Sequence, residues 1–179
     1  MNSIVAQSNR GPRPGLLSFP NPVNEISARL VAGGVVLLCV AAIASGSPWL
    51  VAAIAYGFVA RVLTGPRLSP LGQLVTRVIT PRLGLAPRYV AGPPKRFAQG
   101  IGAVLSVAAA VLAIGFGQRV PADVLLGLVI VAATLESVFA FCLGCKIFAV
   151  LMRLGIVPEE VCERCVDIWS TPRGAVDNV

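Results

Sequence analysis

The chain has 179 residues, of which 56% are hydrophobic and 13% are charged, and its formal net charge is +7. The charged fraction is well below the ~25% of an ordinary soluble domain, and no charge lies in residues 30–60 or 97–118. The absence of histidine excludes Ser-His and Cys-His catalysis, and no basic-aromatic motif for nucleic acid occurs. We therefore predict an all-α, multi-pass protein of the cell (inner) membrane whose partner is the lipid bilayer and not nucleic acid.

The first two predicted helices form a transmembrane hairpin. Asn24 is expected to cap a helix that begins at Glu25, because an asparagine side chain accepts a hydrogen bond from a first-turn amide. The first span covers about residues 26–45 and the second about residues 48–64, with a Gly-Ser-Pro turn between them. The second run is close to the shortest length that crosses a bilayer core, so a re-entrant pair that does not cross is the alternative.

Residues 65–96 form a connector with six basic residues, six prolines and no acidic residue. Its apolar residues at helical spacing are Leu71, Leu74, Val75, Val78 and Ile79. This stripe is typical of a short amphipathic helix that lies on the inner leaflet. The alternative is a solvated loop with one turn packed on the core.

The third span is predicted at about residues 97–117 and the fourth at about 123–143. Small residues recur at every fourth position of the third span: Ala98, Gly102, Ser106 and Ala110. Such a ridge lets another helix approach closely. After the fourth span the helical pattern continues without a break to Gly155, a candidate C-terminal glycine.

The predicted organisation is a membrane domain followed by a cytoplasmic helix. Residues 21–155 form the four-helix membrane domain, and residues 156–170 form a helix that completes a cytoplasmic, cysteine-bearing helical hairpin. Residues 1–20 and 171–179 are predicted to be flexible tails. Because the basic residues concentrate in the connector, the positive-inside rule places the connector and both termini in the cytoplasm.

Two Cys-x-x-Cys pairs, Cys142 with Cys145 and Cys162 with Cys165, stand sixteen residues apart. On continuous helices each pair shares one face. Three hypotheses are open: a redox or sulfur-transfer pair, a four-thiolate zinc site, and small apolar residues that fill a helix interface. A cytoplasmic location keeps thiols reduced and argues against permanent disulfides. The fifth cysteine, Cys39, is expected to pack against lipid or core.

Glu136 is a carboxylate within the predicted fourth span, and such a residue is a functional candidate because its burial is costly. The functional hypotheses are a proton relay or an ion-pair partner for Arg61 or Arg29. The alternative is a protonated carboxyl group that hydrogen-bonds to Ser106 or to another helix.

Four short stretches together carry a resemblance to a known family. They are FPNPVNE at 19–25, GPRLSPLG at 65–72, GPPKRFAQ at 92–99 and FCLGCK at 141–146. Over about residues 18–168 the chain resembles the bacterial, especially actinobacterial, integral membrane proteins grouped as domain of unknown function 4395. Some members occur beside thioredoxin-like or rhodanese-type sulfurtransferase proteins. The resemblance therefore implies thiol or sulfur handling with a partner of that kind.

Three functions follow in order of preference. The first is a membrane thiol-redox or sulfur-relay protein in which Cys142 and Cys145 exchange with Cys162 and Cys165, and a soluble partner docks on the basic connector. The second is a non-enzymatic membrane scaffold whose hairpin is folded by zinc on the same four cysteines. The third is a small transporter that uses Glu136. Enzymatic and non-enzymatic roles are both open.

Overall fold

The computed structural model describes residues 21–84 and 86–158, which form a helical bundle with one two-residue ladder. The helices are α1 (Glu25–Ser45), α2 (Pro48–Thr64), α3 (Pro70–Leu74), α4 (Thr80–Arg82), α5 (Gly92–Ala110), α6 (Arg119–Phe139) and α7 (Leu143–Arg153). π-Helical turns at Val75–Ile79 and Val111–Gly115 join α3 to α4 and extend α5. The strands β1 (Val23–Asn24) and β2 (Tyr89–Val90) pair antiparallel.

Three helices of the described residues are long and apolar enough to cross a membrane: Glu25–Ser45, Gly92–Gly115 and Arg119–Phe139. The helix Pro48–Thr64 is apolar but shorter, with 17 residues. Large apolar side chains on the outer faces of these helices, such as Leu37 and Val104, are exposed. For the described residues, the all-α prediction and the prediction of helices able to span a membrane are confirmed.

The first hairpin begins and turns where the sequence predicts. The Asn24 side chain accepts a hydrogen bond from the Ile26 amide at 3.0 Å, which caps α1. The helix ends at Gly46, whose positive φ of 70° favours glycine. The ladder between β1 and β2 was not predicted. With the adjacent hydrogen bond from the Glu25 amide to the Arg88 carbonyl at 2.7 Å, it ties the start of α1 to the end of the connector.

The connector contains a helical segment from Pro70 to Arg82. Leu71, Val75 and Ile79 recur every four residues and pack on the core, and only 1% of Val75 is exposed. Leu74, which the predicted stripe included, is exposed. A helix is therefore found where the stripe predicted one, but its apolar residues pack on the core, as in the alternative. A position on the inner leaflet stays a prediction.

The bundle is built from two packed pairs of helices, α1 with α6 and α2 with α5, and α5 also contacts α6 and α7. The small-residue ridge of α5 faces these neighbours, as predicted. A β carbon at Gly102 would overlap the Phe58 ring of α2, and Ser106 is fully buried. Ala98, at the start of the ridge, lies against Gly144 of α7. Cys39 is fully buried in the core, so of its two expected environments the core is the one found.

Several helix boundaries differ from the prediction, such as the start of α6 at Arg119 and not at 123, and two of the differences shape the site. Helix α5 begins at Gly92, five residues before the predicted start at 97, with Pro93 and Pro94 in its first turn. Proline is favoured there because its missing N–H would have no partner. Its first turn therefore includes Lys95, which the sequence analysis assigned to the connector.

The second difference is a break at Ala140, where the sequence predicted one continuous helix. Helix α6 ends at Phe139, and Ala140 adopts a left-handed conformation with φ 54°. The Phe141 amide donates to the Leu135 carbonyl at 3.0 Å, a Schellman-type ending. The Arg29 guanidinium of α1 donates to the Ser137 carbonyl at 3.0 Å, satisfying a carbonyl that the helix leaves open. The prediction of a fourth span to 143 that continues as a helix to 155 is therefore wrong.

Gly155 follows α7 with a φ of 70°, so its predicted role at a helix C-terminus is confirmed. Residues 159–179, with Cys162 and Cys165, lie outside the described residues. So do the predicted tails at 1–20 and 171–179 and most of the predicted helix at 156–170. The cysteine-bearing hairpin stays a prediction.

Candidate thiol site

Cys142 and Cys145 lie at the start of α7, just beyond the break. Cys142 is the N-cap residue of α7, and only 8% of it is exposed. Cys145 is one helical turn further on, partly buried, and both are free thiols. The predicted common helical face is wrong for Cys142, which precedes the helix, yet the two sulfur atoms are brought together. The contact of Gly144 with Ala98 holds this segment against α5.

The two thiols differ in their expected acidity. The Cys145 thiol donates a hydrogen bond to the Cys142 sulfur, which lowers the pKa of Cys142 below its ordinary value of 9.0. Burial and the Glu136 carboxylate oppose this shift, and the Lys95 ammonium supports it. The same hydrogen bond, together with burial, raises the pKa of Cys145. Cys142 is therefore the thiol favoured to ionise, with Cys145 as its proton-bearing neighbour.

Lys95 and Glu136 form an ion pair beside the thiols. Lys95 Nζ lies 2.6 Å from Glu136 Oε1, and only 11% and 15% of the two side chains are exposed. The partners that the sequence suggested for Glu136, namely Arg61, Arg29 and Ser106, are not the ones found. The ion pair joins the first turn of α5 to the last turn of α6 and brings a cation close to both sulfur atoms.

The two arginines make other contacts. Arg29 caps the end of α6, as described above. Arg61 is buried near the end of α2, where its Nε donates to Gln99 Oε1 at 3.0 Å and its Nη1 donates to Ser69 Oγ at 3.3 Å. Its guanidinium also lies 4.4 Å from the centre of the Phe58 ring. Arg61 is thus held by neutral groups.

A small cavity of about 100 Å³ connects these groups. Its polar lining comes from Arg61, Gln99, Glu136 and Cys142, and the rest of the wall is mostly apolar. The volume admits one or a few waters and no sizeable solute. This arrangement can support proton and thiol chemistry at Cys142. It provides no path for a sizeable solute, and the transporter hypothesis stays a prediction.

Within residues 21–84 and 86–158, no three Cys, Asp or Glu side chains are grouped to hold a metal ion. The zinc hypothesis requires Cys162 and Cys165, which lie outside that part of the chain. Cys142 and Cys145 alone provide two of the four ligands that a structural zinc site requires. Zinc binding therefore stays a prediction.

Comparison with known proteins identifies the family. The family model described as "Domain of unknown function (DUF4395)" matches residues 23–153. The chain belongs to the DUF4395 family. The matched stretch of this DUF4395 chain contains Cys142 and Cys145 and ends before Cys162. No curated protein and no solved structure matches the chain.

Sequence reasoning missed two residues of the site, Lys95 and Gln99. Both lie on α5 four positions apart, and the Pro93-Pro94 pair was a usable signal because prolines favour the first turn of a helix. A helix that begins at Gly92 includes Lys95 as a charge on a helix that packs in the bundle. Its pairing with Glu136 depends on how α5 and α6 meet, which no local pattern encodes.

The acidity of Cys142 predicts a pH profile for its alkylation in this DUF4395 chain. Because the thiolate is the reactive form, a lowered pKa moves the rise in rate to a pH below 9.0 and speeds alkylation at pH 7. Replacing Cys145 with alanine removes the hydrogen-bond donor, so the pKa of Cys142 should rise and alkylation at pH 7 should slow. Mass spectrometry of the Cys142 peptide measures the rate, and Cys39→Ala is the control. A profile centred at or above 9.0, or one that Cys145→Ala leaves unchanged, would contradict the assignment.

Proposed function

We propose that this DUF4395 chain is a membrane thiol-redox protein in which Cys142 and Cys145 exchange electrons with a soluble thiol partner. The observation that carries the proposal is the position of Cys142 as N-cap of α7, hydrogen-bonded by the Cys145 thiol and close to Lys95. Thiols at helix N-termini and beside lysine are the ones that react as thiolates at neutral pH. Cysteines that only fill a helix interface would need neither the Lys95 ammonium nor the hydrogen bond from the Cys145 thiol.

The exchange takes two steps. The Cys142 thiolate attacks one sulfur of the partner's disulfide, a mixed disulfide forms, and the partner's other sulfur leaves as a thiolate. Cys145 then loses its proton and attacks the Cys142 sulfur, which releases the partner's second thiolate. The partner's disulfide is reduced by two electrons, and Cys142 and Cys145 are oxidised to a disulfide. With a partner persulfide, the Cys142 thiolate would attack the outer sulfur, so that this sulfur moves to Cys142 and the partner's cysteine leaves as a thiolate.

Lys95 and Glu136 are positioning residues in this mechanism. The Lys95 ammonium favours the Cys142 thiolate electrostatically. Glu136 holds that ammonium 2.6 Å away in a largely buried ion pair. The ion pair keeps the cation near the sulfur atoms throughout the exchange. The proton that Cys145 loses in the second step is taken up by the partner thiolate that left in the first step.

The partner is expected to approach from the end of the bundle that carries the break. Phe141 and Leu143 flank Cys142 and are exposed. These apolar side chains can contact an incoming protein, and the basic connector at the same end can attract an acidic one. The approach must open the segment slightly, because Cys142 itself is almost buried.

We propose further that α2 crosses the membrane, giving four spans with both termini in the cytoplasm. Two contacts support this topology. Arg119, at the start of α6, donates to the Gly46 carbonyl at the end of α1, and the β1–β2 ladder joins the start of α1 to the start of α5. Helix α2 therefore begins at one end of the bundle and leads to the other. Its 17 residues span roughly 26 Å at ~1.5 Å per residue.

Trapping of the mixed disulfide tests the proposed function. The protein in lipid nanodiscs, fully reduced, is mixed with glutathione disulfide, and adducts are located by mass spectrometry. We expect Cys145→Ser to accumulate glutathione on Cys142, because the serine hydroxyl still donates to the Cys142 sulfur but cannot resolve the adduct. The wild type should instead form the Cys142–Cys145 disulfide and release two glutathiones.

Cys142→Ser is the matched control and should form no adduct at the site. Equal adduct yields from the two serine variants would contradict the mechanism. So would one zinc ion per chain bound by the four C-terminal thiols, a result that would favour the scaffold.

A further inference from the structure

A second, larger cavity lies on the other side of Arg61 and Gln99 from the thiols. Its volume is about 520 Å³, within the ~300–1,000 Å³ range of small-molecule sites. It is an open cavity lined by the start of α1, the end of α2, the connector and the first turns of α5. Its polar lining includes Asn24, Ser27, Arg61, Thr76, Thr80 and Gln99. Among the described residues that line it, none is acidic.

Arg61 gives this cavity a fixed positive charge. Only 6% of Arg61 is exposed, and no carboxylate of the described residues lies in ion-pair contact with it. Its two side-chain hydrogen bonds, to Gln99 Oε1 and Ser69 Oγ, use part of the five N–H donors of a guanidinium. Glu136 lines the small cavity together with Arg61, but its carboxylate is paired with Lys95. A buried cation without an ion-pair partner carries a large desolvation cost, and a bound anion would offset that cost.

Further donors face the same space. Ser27 Oγ and Thr80 Oγ1 lie 3.0 Å apart and share one hydrogen bond, which uses one of their two hydroxyl hydrogens and leaves the other. Gln99 accepts the Arg61 hydrogen bond through its oxygen, so its amide nitrogen retains donors. The cavity thus combines a guanidinium with neutral donors from three different segments of the chain.

We propose that this cavity binds the phosphate group of a small phosphate ester. A tetrahedral phosphate presents oxygens in several directions, which suits one guanidinium and hydroxyl and amide donors spread around a cavity. The remaining volume is walled by Val23, Ala28 and Val31 and receives the apolar part of the ligand. The phosphate can belong to a free ester or to a phospholipid headgroup. The proposal rests on the cavity and is independent of the thiol mechanism.

Two measurements on the full chain in detergent test the proposal and separate the sources. The first is the midpoint of thermal unfolding against added inorganic phosphate, with chloride at matched ionic strength. The second is the phosphorus that stays with the protein after purification in mild detergent, before harsh delipidation. We expect saturable stabilisation by phosphate in the delipidated protein. Close to one phosphorus retained per chain before harsh delipidation would identify a lipid headgroup, and none retained would identify a free ester.

Variants locate the binding. Arg61→Gln and Thr80→Val should each weaken phosphate binding by about tenfold or more, because a hydrogen bond to a charged group contributes roughly 1.5–3 kcal/mol. Thr80→Val keeps the shape of the side chain, so it tests the site even if Arg61→Gln folds poorly. Arg82→Gln is the matched control, since it removes an exposed positive charge from the same connector outside the cavity.

The proposal is overturned if phosphate stabilises no more than chloride and no phosphorus is retained. It is equally overturned if binding is unchanged in Thr80→Val and falls in Arg82→Gln, since the anion would then be held by the surface charge of the connector.

Discussion

Replacing Lys95 with methionine is expected to lower the free energy of unfolding by about 3–5 kcal/mol, the usual effect of removing one partner of a buried ion pair. The change leaves the Glu136 carboxylate without its cation among apolar neighbours. Unfolding in mixed micelles of increasing denaturing-detergent content measures the effect. The same variant should also slow the alkylation of Cys142 at pH 7, because the ammonium no longer favours the thiolate.

Two controls make this result specific to the ion pair. Lys146→Met removes the other lysine of the chain at an exposed position over the Phe141 ring and should cost less than about 1 kcal/mol. The double variant Lys95→Met with Glu136→Leu removes both charges and should recover most of the lost stability. If the double variant is as unstable as the single one, the charge of Glu136 is not the cause.

Replacing Gly144 with alanine is expected to lower the free energy of unfolding by about 1–3 kcal/mol, as overpacking does in a close contact. The added β carbon would lie 2.6 Å from the Ala98 Cα atom, and backbone cannot yield as a side chain can. Helix α7 must then move away from α5 and take Cys142 with it. Stability in mixed micelles and the alkylation rate of Cys142 measure the two consequences.

Gly100→Ala is the matched control, on the same helix as Ala98. Nothing lies within 4 Å of a β carbon there, so alanine should raise stability slightly by restricting the unfolded chain. The double variant Ala98→Gly with Gly144→Ala moves the methyl group from one side of the contact to the other. It should recover part of the free energy of unfolding that Gly144→Ala loses. A neutral Gly144→Ala variant with unchanged Cys142 reactivity would contradict the close contact between α5 and α7.

Local sequence signals located the first half of the fold. Asn24, Gly46 and Pro48 mark the ends of α1 and α2 through capping and turn chemistry that depends on neighbouring residues only. The apolar stripe of the connector gave a helix for the same reason. The small-residue ridge gave the packing face of α5, because glycine and alanine are needed wherever two helices approach closely.

The break after α6 could not be predicted in this way. The residues around Ala140 include no glycine or proline, and a left-handed alanine costs roughly 1–2 kcal/mol. The contacts that support the break come from residues distant in sequence. Arg29 caps the end of α6, and Gly144 packs closely against Ala98. The spacing of Cys142 and Cys145 predicted that the two thiols lie close together, as they do, but the N-cap position of Cys142 follows from the break.

The charged groups around the two thiols also could not be predicted from local sequence patterns. Glu136 was identified as a functional candidate because it is a charge in an apolar helix. Its predicted ion-pair partners are two arginines of the first hairpin, whereas the partner found is Lys95, which the prediction places in the connector. Once α5 begins at Gly92, the pairing of Lys95 with Glu136 becomes a matter of which helices pack together.

The most direct test of the proposed function is a site-resolved thiol count of the wild-type protein in lipid nanodiscs, purified without chelator and taken through mild oxidation and reduction. The thiol mechanism predicts that Cys142 and Cys145 disappear together on oxidation as one intramolecular disulfide. Both should return on reduction, while Cys39, buried in the core, is unchanged. Cys142 and Cys145 that stay as free thiols under the oxidant, or that are shielded in both conditions by one equivalent of zinc, would contradict it.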